Sequence, residues 1–410
     1  MNILIFAANW YNHGDEAALR AMIDELKAVY PHSKFKIQFN QPVESVPYDN
    51  VEILNGFTKP MGRNKLKHIP YNLSIFSGGR LNLLKKSESE NFKRFIDAVK
   101  WADYAIYAPG GPSIGDRYHQ YQLVDMMLLM KKAHLPYSVF APSMGPFSFY
   151  KKKIKQVLDN AAVVCFREEI SQGYYNMLSP DNNSEVTLDS AFQHPINVAE
   201  NEKTLNKYNE LDLFLKKYNK VVGITVTDLK WHRDYRSTNI GDQIDNAFRP
   251  FISELQQKGY GILFIPQLFG KDNDADYMRN FAGEHCFVMS EDYDCYFQQY
   301  VISKLYAVVG MRYHSNIFSA KMGTPFLSVA YEQKMTGFMK RAKLEKYCIM
   351  VNDLNADLLS ERFTLLENDY NNYKEWLNSE KEMYQKESHR TTDLTVSSIE
   401  LVLKNSQQGE

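Results

Sequence analysis

Val308-Val309-Gly310-Met311-Arg312-Tyr313-His314-Ser315-Asn316 is the stretch that decides how this chain folds. An apolar run, Leu305 to Val309, stops at Gly310, and Arg312 and His314 follow at once. A helix-like segment, Ile317 to Lys321, comes next, and Met322-Gly323-Thr324-Pro325 ends it. The order is strand, turn, helix start, with a guanidinium and an imidazole on the turn. In an open α/β sheet, ligands bind outside the carboxyl ends of the strands, beside a helix N-terminus whose N–H groups favour an anion. A guanidinium adds to that attraction, and an imidazole moves a proton near neutral pH. The stretch therefore predicts a grip on a small, highly charged acid and proton chemistry upon it.

Working outward, the 410 residues are enough for two cores. Lysine plus arginine number 48 against 49 acids, a net charge of -1. That balance argues against nonspecific nucleic-acid binding, which needs a broad basic surface. It leaves room for an anionic substrate, because a few arginines in one cleft suffice. Cys165, Cys286, Cys295 and Cys348 are scattered and form no CxxC, and Cys165 and Cys348 sit in apolar strand-like runs, so buried thiols in a reducing compartment are expected. Met1 leads straight into a strand, with no signal-peptide pattern. No apolar stretch approaches the roughly 18 residues of a membrane span. These features predict a soluble cytoplasmic protein, with the inner face of the membrane as the place where it would meet a membrane-bound substrate.

Along the chain, Ile3 to Ala8 reads as a buried parallel strand, and a helix opens at Gly14-Asp15-Glu16 with Ala17, Ala18, Ala21, Met22, Leu26 and Val29 at helical spacing. Phe35 to Phe39 is the next strand. The loop between the first strand and the helix lacks GxGxxG, so the dinucleotide fingerprint is absent. Asn12 to Glu16 has two readings: a substrate-facing loop, or acids that complement the helix dipole. Pro42 to Ser89 is the least regular part. It carries Lys59, Arg63, Lys65, Lys67, His68, Arg80, Lys85 and Lys86 among aromatics. It reads as solvated loop and helix, or as a contact for an anionic acceptor or a membrane surface. Asp103 to Ala108, Tyr137 to Ala141, Ala161 to Phe166 and Val186 to Asp189 are further strands. They lead into Pro109-Gly110-Gly111, Pro142-Ser143-Met144-Gly145-Pro146 and Arg167-Glu168-Glu169. Gln193 to Lys203 is polar, without apolar period, and reads as an inter-domain linker. A second set of alternating strands and helices follows, from Val221 to Val351, and the tail is helical and charged. The fold class expected is α/β, two Rossmann-like doubly wound domains facing across a cleft in the GT-B-like manner. His13, His119, His194 and His232 lack metal-ligand spacing and read as loop residues, so no metal site is expected.

The motif set resembles that of the polysaccharide pyruvyl transferases. The matching pieces are Gly14-Asp15-Glu16, Pro109-Gly110-Gly111, Ser143-Met144-Gly145-Pro146, Arg167-Glu168 with Ser171, and Asp189 with Phe192. Met311-Arg312-Tyr313-His314, Gly323-Thr324-Pro325 and Tyr331-Glu332-Gln333-Lys334 complete them. Their order and spacing are more specific than any one piece. Three positions depart: the family often has a third glycine where Pro112 stands, Asp at Glu168 and Pro at Ser190. The resemblance implies transfer of a pyruvyl group from phosphoenolpyruvate, as co-substrate, to two hydroxyls of a sugar, closing a ketal or in some members leaving an enolpyruvyl adduct, with no metal or nicotinamide. The acceptor would be a lipid-linked or nucleotide-linked oligosaccharide or a polysaccharide.

On that resemblance, residues 1–195 form an N-terminal acceptor-side domain and 196–360 a C-terminal donor-side domain. Residues 361–410 form C-terminal helices free to cross back onto the first domain. Arg167, Arg312 and Lys334 are expected to hold phosphoenolpyruvate, the arginines through two parallel bonds each. His314 is the candidate acid and Asp15 or Glu16 the group toward the acceptor hydroxyl. Asn12, Gly14, Glu16, Gly110 and Gly111 are expected to line the acceptor side. Two rivals stand beside this reading: a sugar-nucleotide glycosyltransferase of the same architecture, and a non-catalytic polysaccharide-assembly protein.

Overall fold

The short apolar runs form the strands of two parallel sheets in this computed structural model, which describes residues 1–57, 68–81, 90–111, 113–270 and 273–408. The chain divides into two compact units. The first comprises Met1–Trp10, Ala18–Ser190 and Glu387–Glu410, and the second Tyr11–Ala17 and Ala191–Lys386.

In the first unit the strands are β1 (Asn2–Ala8), β2 (Lys34–Phe39), β3 (Val51–Leu54), β4 (Tyr104–Tyr107), β5 (Tyr137–Val139), β6 (Val163–Phe166) and β7 (Glu185–Val186). They lie in the order β3-β2-β1-β4-β5-β6-β7, every pairing parallel. The helices are α1 (His13–Val29), whose first turn clusters with the second unit, α2 (His68–Phe76), α3 (Glu90–Trp101), α4 (Gln122–Ala133), α5 (Lys151–Leu158) and α6 (Glu169–Asn176). β4 and β5 are buried along their whole length, as strands covered by helices on both faces must be.

In the second unit α7 (Val198–Lys207) and α8 (Asn209–Lys217) precede β8 (Val221–Thr225), α9 (Ile240–Gln257), β9 (Gly261–Phe264), α10 (Ala275–Arg279) and β10 (Cys286–Val288). Then come α11 (Cys295–Ser303), β11 (Ala307–Gly310), α12 (Tyr313–Met322), β12 (Phe326–Ala330), α13 (Gln333–Arg341), β13 (Cys348–Met350), α14 (Ala356–Asn368) and α15 (Tyr370–Gln408). The sheet order is β10-β9-β8-β11-β12-β13, again all parallel. α9 shows why these helices form: Ile244, Ala247, Phe248, Phe251, Ile252 and Leu255 bury one stripe. Each large side chain of that kind contributes about 1.5–3 kcal/mol by leaving water.

Each sheet is doubly wound, with the strand order reversing beside its first strand. The reversal lies between β1 and β4 in one unit and between β8 and β11 in the other. At such a switch point adjacent loops diverge and leave room for a ligand. The expected linker does not take that form: Val198–Lys207 is helix α7, capped by the Asn197 side chain, which accepts the Glu200 N–H at 3.2 Å. Asn201 and Leu205 anchor it. The stretch expected to be least regular contributes β3 and α2, while Lys59, Arg63, Lys65, Lys67, Lys85 and Lys86 lie outside the described residues.

Candidate active site

The site in the second unit is built where β8 and β11 end. Gly310 closes β11, and a Cβ there would fall 2.1 Å from Asn316 Oδ1 and 2.6 Å from Ser315 Oγ. Only a residue without a side chain lets the first turn of α12 fold back this tightly on its strand. The Met311 N–H donates to the Thr225 carbonyl at 2.8 Å. Thr225 Oγ1 accepts the Arg312 N–H at 3.3 Å and meets Ser315 Oγ at 2.9 Å. Ser315 Oγ donates in turn to the Arg312 carbonyl at 2.7 Å. The turn carrying Arg312 and His314 is therefore pinned to the neighbouring strand by hydroxyls.

Arg312 is 5 % exposed, and its Nε and Nη2 edge is taken by Asp274. Asp274 Oδ2 accepts Arg312 Nε at 3.1 Å and the N–H groups of Gln267 and Leu268 at 3.1 and 3.0 Å; Oδ1 accepts Nη2. The guanidinium also lies 5.0 Å from the centre of the Trp231 ring. Burial opposes the charge, but the Asp274 carboxylate and Tyr331 outweigh it and hold the group above its ordinary value. The two-bond edge expected for a substrate anion is thus occupied by the protein's own carboxylate. In the sequence Asp274 reads as the start of a short helix, with no signal that pairs it with Arg312.

His314 lies in the first turn of α12 and is 6 % exposed. Its ring is pressed against Gly14: a Cβ on that glycine would stand 1.8 Å from Nδ1 and 2.0 Å from Cγ. Tyr313 meets the ring edge-on at 4.9 Å, and Phe318 lies at 6.2 Å. The backbone carrying Gly14 is fixed in turn. Gly14 N–H donates to Asn12 Oδ1 at 2.8 Å, Asn12 bridges Leu268, and the His13 N–H reaches the Gln267 carbonyl at 2.8 Å.

Glu16 is 3 % exposed; its Oε2 accepts the Cys295 N–H at 3.2 Å and bonds His13 Nδ1 at 2.8 Å. His13 Nε2 lies 2.9 Å from the Glu291 carbonyl, which can only accept, so Nε2 carries a proton. His13 is stacked on Phe269 at 4.4 Å. It is a buried part of the α1 start, not the loop residue expected. Asp15 is half-buried in the same first turn.

Lys334, the second residue of α13, has Nζ 2.6 Å from Glu332 and 5.8 Å from the centre of the Tyr313 ring. Tyr313 thus stands beside both Lys334 and His314. His232, also expected as a loop residue, is 1 % exposed. Its Nδ1 accepts the Asp234 N–H at 3.3 Å, which leaves the proton on Nε2 to donate to Glu332 Oε1 at 3.0 Å.

In the first unit, Arg167 follows β6 and is 2 % exposed. It donates through Nη1 to Asp189 at 2.6 Å, through Nε to Ser143 Oγ at 2.8 Å and through Nη2 to the Gly111 carbonyl at 3.1 Å. Gly110 and Gly111 take φ of 124° and 90°, which only glycine adopts without strain. A Cβ on Gly111 would also approach the Ser143 carbonyl to 2.9 Å. Arg167 therefore ties together three stretches that are far apart in sequence. Glu168 caps α6, accepting the Ser171 N–H at 2.9 Å, and burial pushes its carboxyl up. Pro112, one of the departures, lies outside the described residues.

A family model for polysaccharide pyruvyl transferases matches residues 12–333. The chain belongs to that family. Among curated relatives of this pyruvyl transferase family member is the amylovoran biosynthesis protein AmsJ of Erwinia amylovora. It is 24 % identical over 374 residues, covering 84 % of this chain and 86 % of the relative. The UDP-GlcNAc 2-epimerase of Neisseria meningitidis, solved with UDP-GlcNAc, superposes with a TM-score of 0.57 at 13 % identity, covering 97 % of this chain and all of that one. HepE of Anabaena, solved with UDP and glucose, gives 0.55 at 11 % identity, with 99 % of each chain covered. At such identities the likeness concerns the fold alone, which is GT-B-like. The matched span holds Asn12, Gly14, Arg167, Arg312 and His314, and stops one residue before Lys334.

Proposed function

We propose that this family member transfers a pyruvyl group from phosphoenolpyruvate to sugar hydroxyls of a polysaccharide or its precursor, with His314 as the acid. The observation that carries the reading is His314 itself: a buried imidazole at a helix start, its ring fixed by Gly14 and flanked by Tyr313, with Lys334 beside that same tyrosine.

Phosphoenolpyruvate brings a carboxylate and a phosphate, close to three negative charges at neutral pH. The N-terminus of α12 and the Lys334 ammonium supply the attraction. Arg312, already bonded to Asp274 and Thr227, acts chiefly by fixing the turn and by adding positive charge to the donor side. His314 delivers a proton to the methylene carbon, and the central carbon becomes electrophilic. A sugar hydroxyl attacks it and phosphate leaves, favoured by the cations that held it. A second hydroxyl closes the ketal. Of the two hydroxyl protons, one replaces the proton on His314 and the other leaves with phosphate, so atoms and charge balance. Asp15 is the group assigned to the acceptor hydroxyl. The buried, paired Glu16 supports the helix start instead.

The test is phosphate release from phosphoenolpyruvate over a panel of lipid-linked and nucleotide-linked sugars. Release that depends on both partners supports the reading. Nucleoside diphosphate release from a sugar nucleotide would replace it with glycosyl transfer. His314→Ala is expected to lower turnover by at least about a hundredfold, the scale of a lost general acid, while calorimetry still detects donor binding. Near-normal turnover in that variant would remove His314 from the role.

A further inference from the structure

Phe149 and Tyr150 are adjacent large aromatics, 55 % and 48 % exposed, on the loop between β5 and α5 in the first unit. Nothing about them suggests a slack loop. The Ser148 N–H donates to both oxygens of Asp116 at 2.9 and 3.0 Å, and Tyr121 OH reaches the same carboxylate at 3.2 Å. The Tyr150 ring lies 4.6 Å from Tyr121 and the Phe149 ring 5.9 Å from His119. The rings are held in place and held outward.

Directly after them, Lys151, Lys152 and Lys153 form the first turn of α5, with no acid among them and no side-chain cap. Positive charge at a helix N-terminus opposes the helix dipole, so this triplet weakens the helix it begins. Tyr150, at the cap, takes a φ of 55°, which also disfavours a non-glycine residue. Lys153 reaches Asp125 at 3.5 Å and sits 5.6 Å from the Tyr150 ring, while Lys151 and Lys152 are exposed. Several local choices that cost the fold stability coincide at one spot, the pattern expected where a surface serves a partner. The chain as a whole is near neutral, at -1, so the cluster does not follow from a generally basic surface.

We propose that this surface, Phe149 to Lys153, docks the protein on an anionic lipid bilayer. Aromatic rings enter the interfacial zone while lysines meet acidic headgroups, a combination that fits charge and depth together. α4 packs against both α5 and α2, and α2 carries further exposed apolar residues, Ile69, Leu73 and Phe76, at i, i+4 and i+7.

The test uses the full chain in flotation with vesicles of phosphatidylcholine, with and without phosphatidylglycerol, and does not depend on turnover. The protein is expected to float with the phosphatidylglycerol vesicles only and to be released by salt. Lys151→Glu combined with Lys152→Glu is expected to lower partitioning by about tenfold or more, and Phe149→Ser to lower it separately. The charge-reversed variant is expected to melt at the same temperature or higher, because it places acids where the dipole favours them. That keeps loss of docking distinct from loss of folding. Equal binding to both vesicle types, no binding, or variants that float like the parent would each overturn the proposal. So would self-association abolished by Phe149→Ser in sedimentation velocity without vesicle binding, which would make this face a contact between copies of the chain.

Discussion

Gly14 and His314 are 300 residues apart in sequence, yet the missing Cβ of one is the space that the ring of the other fills. The residues themselves were legible: a glycine at a helix start and an imidazole after a strand. Their mutual dependence was not, because neither local stretch encodes the distance between them. Gly14→Ala tests it. The ring would have to leave a position bounded by Tyr313 and Phe318, at an overpacking cost of about 1–3 kcal/mol. Turnover is expected to fall about ten- to a hundredfold while phosphoenolpyruvate affinity changes less than about threefold, since a misplaced acid lowers kcat rather than donor binding. Steady-state kinetics with calorimetry separates the two, and a variant affected only in affinity would place Gly14 with the donor instead. Arg312 shows the opposite kind of illegibility. The sequence presents a cation, and the fold supplies its acid from the start of a short helix. Asp274→Ala would strand that buried guanidinium and is expected to cost about 3–5 kcal/mol, read as a shift in urea midpoint. A change within about 0.5 kcal/mol would show that the pair is dispensable to the fold.

Among the elements, strand–turn–helix units were read well wherever a fully buried apolar run ended in glycine, proline or charge, as at β11 and α12. α7 was not, because its face toward the protein holds little more than Asn201 and Leu205, and its start depends on the Asn197 cap. α3 shows that some misses lay within reach, since Phe92, Phe95, Ile96 and Val99 carry the helical spacing openly. The corner between α14 and α15 is another element that pattern alone does not announce. There Asp369 accepts from Lys346 Nζ at 2.6 Å, Tyr347 OH at 2.5 Å and Asn372 Nδ2 at 2.9 Å. These bonds, Lys346 first, hold its carboxyl down to about 2. A depressed carboxyl contributes stability that is present above its unfolded value and is lost as pH falls through the folded one. Asp369→Asn is therefore expected to be less stable than the parent at pH 5, with the gap closing as pH falls from about 4 toward 2. Urea midpoints across that range give the comparison, and a gap that stays constant would remove the carboxylate from the account.

Over the whole molecule, α15 is the element whose sequence is hardest to interpret, because it belongs to both units. Tyr373, Leu377 and Tyr384 are buried in the second unit, a visible apolar set. Further along, Ser388, Thr391, Thr392, Thr395 and Ile399 are the buried residues, and they lie in the first unit. Their spacing is helical, but the face is mostly hydroxyl, so a search for apolar period passes over it. Ser388 and Thr391, and Ser398 beside them, find hydroxyl or carbonyl partners within that unit. Ser388 Oγ donates to the Asp189 carbonyl at 2.6 Å, Thr391 Oγ1 meets Thr187 Oγ1 at 2.7 Å, and Tyr104 OH donates to Ser398 Oγ at 2.8 Å. Asp189 is the carboxylate that holds Arg167, so the end of this helix supports the first unit's buried cation as well as its core. A chain ending at Lys386 is expected to lose about 1.5–3 kcal/mol from Ile399 and about 1 kcal/mol for each of the three hydrogen bonds, close to the whole stability of a small domain. The loss should fall on the first unit, so scanning calorimetry should show one transition moved to lower temperature or abolished while a second persists. A thermogram identical to that of the full chain would mean that residues 387–410 are an ornament on the first unit and not a part of its core.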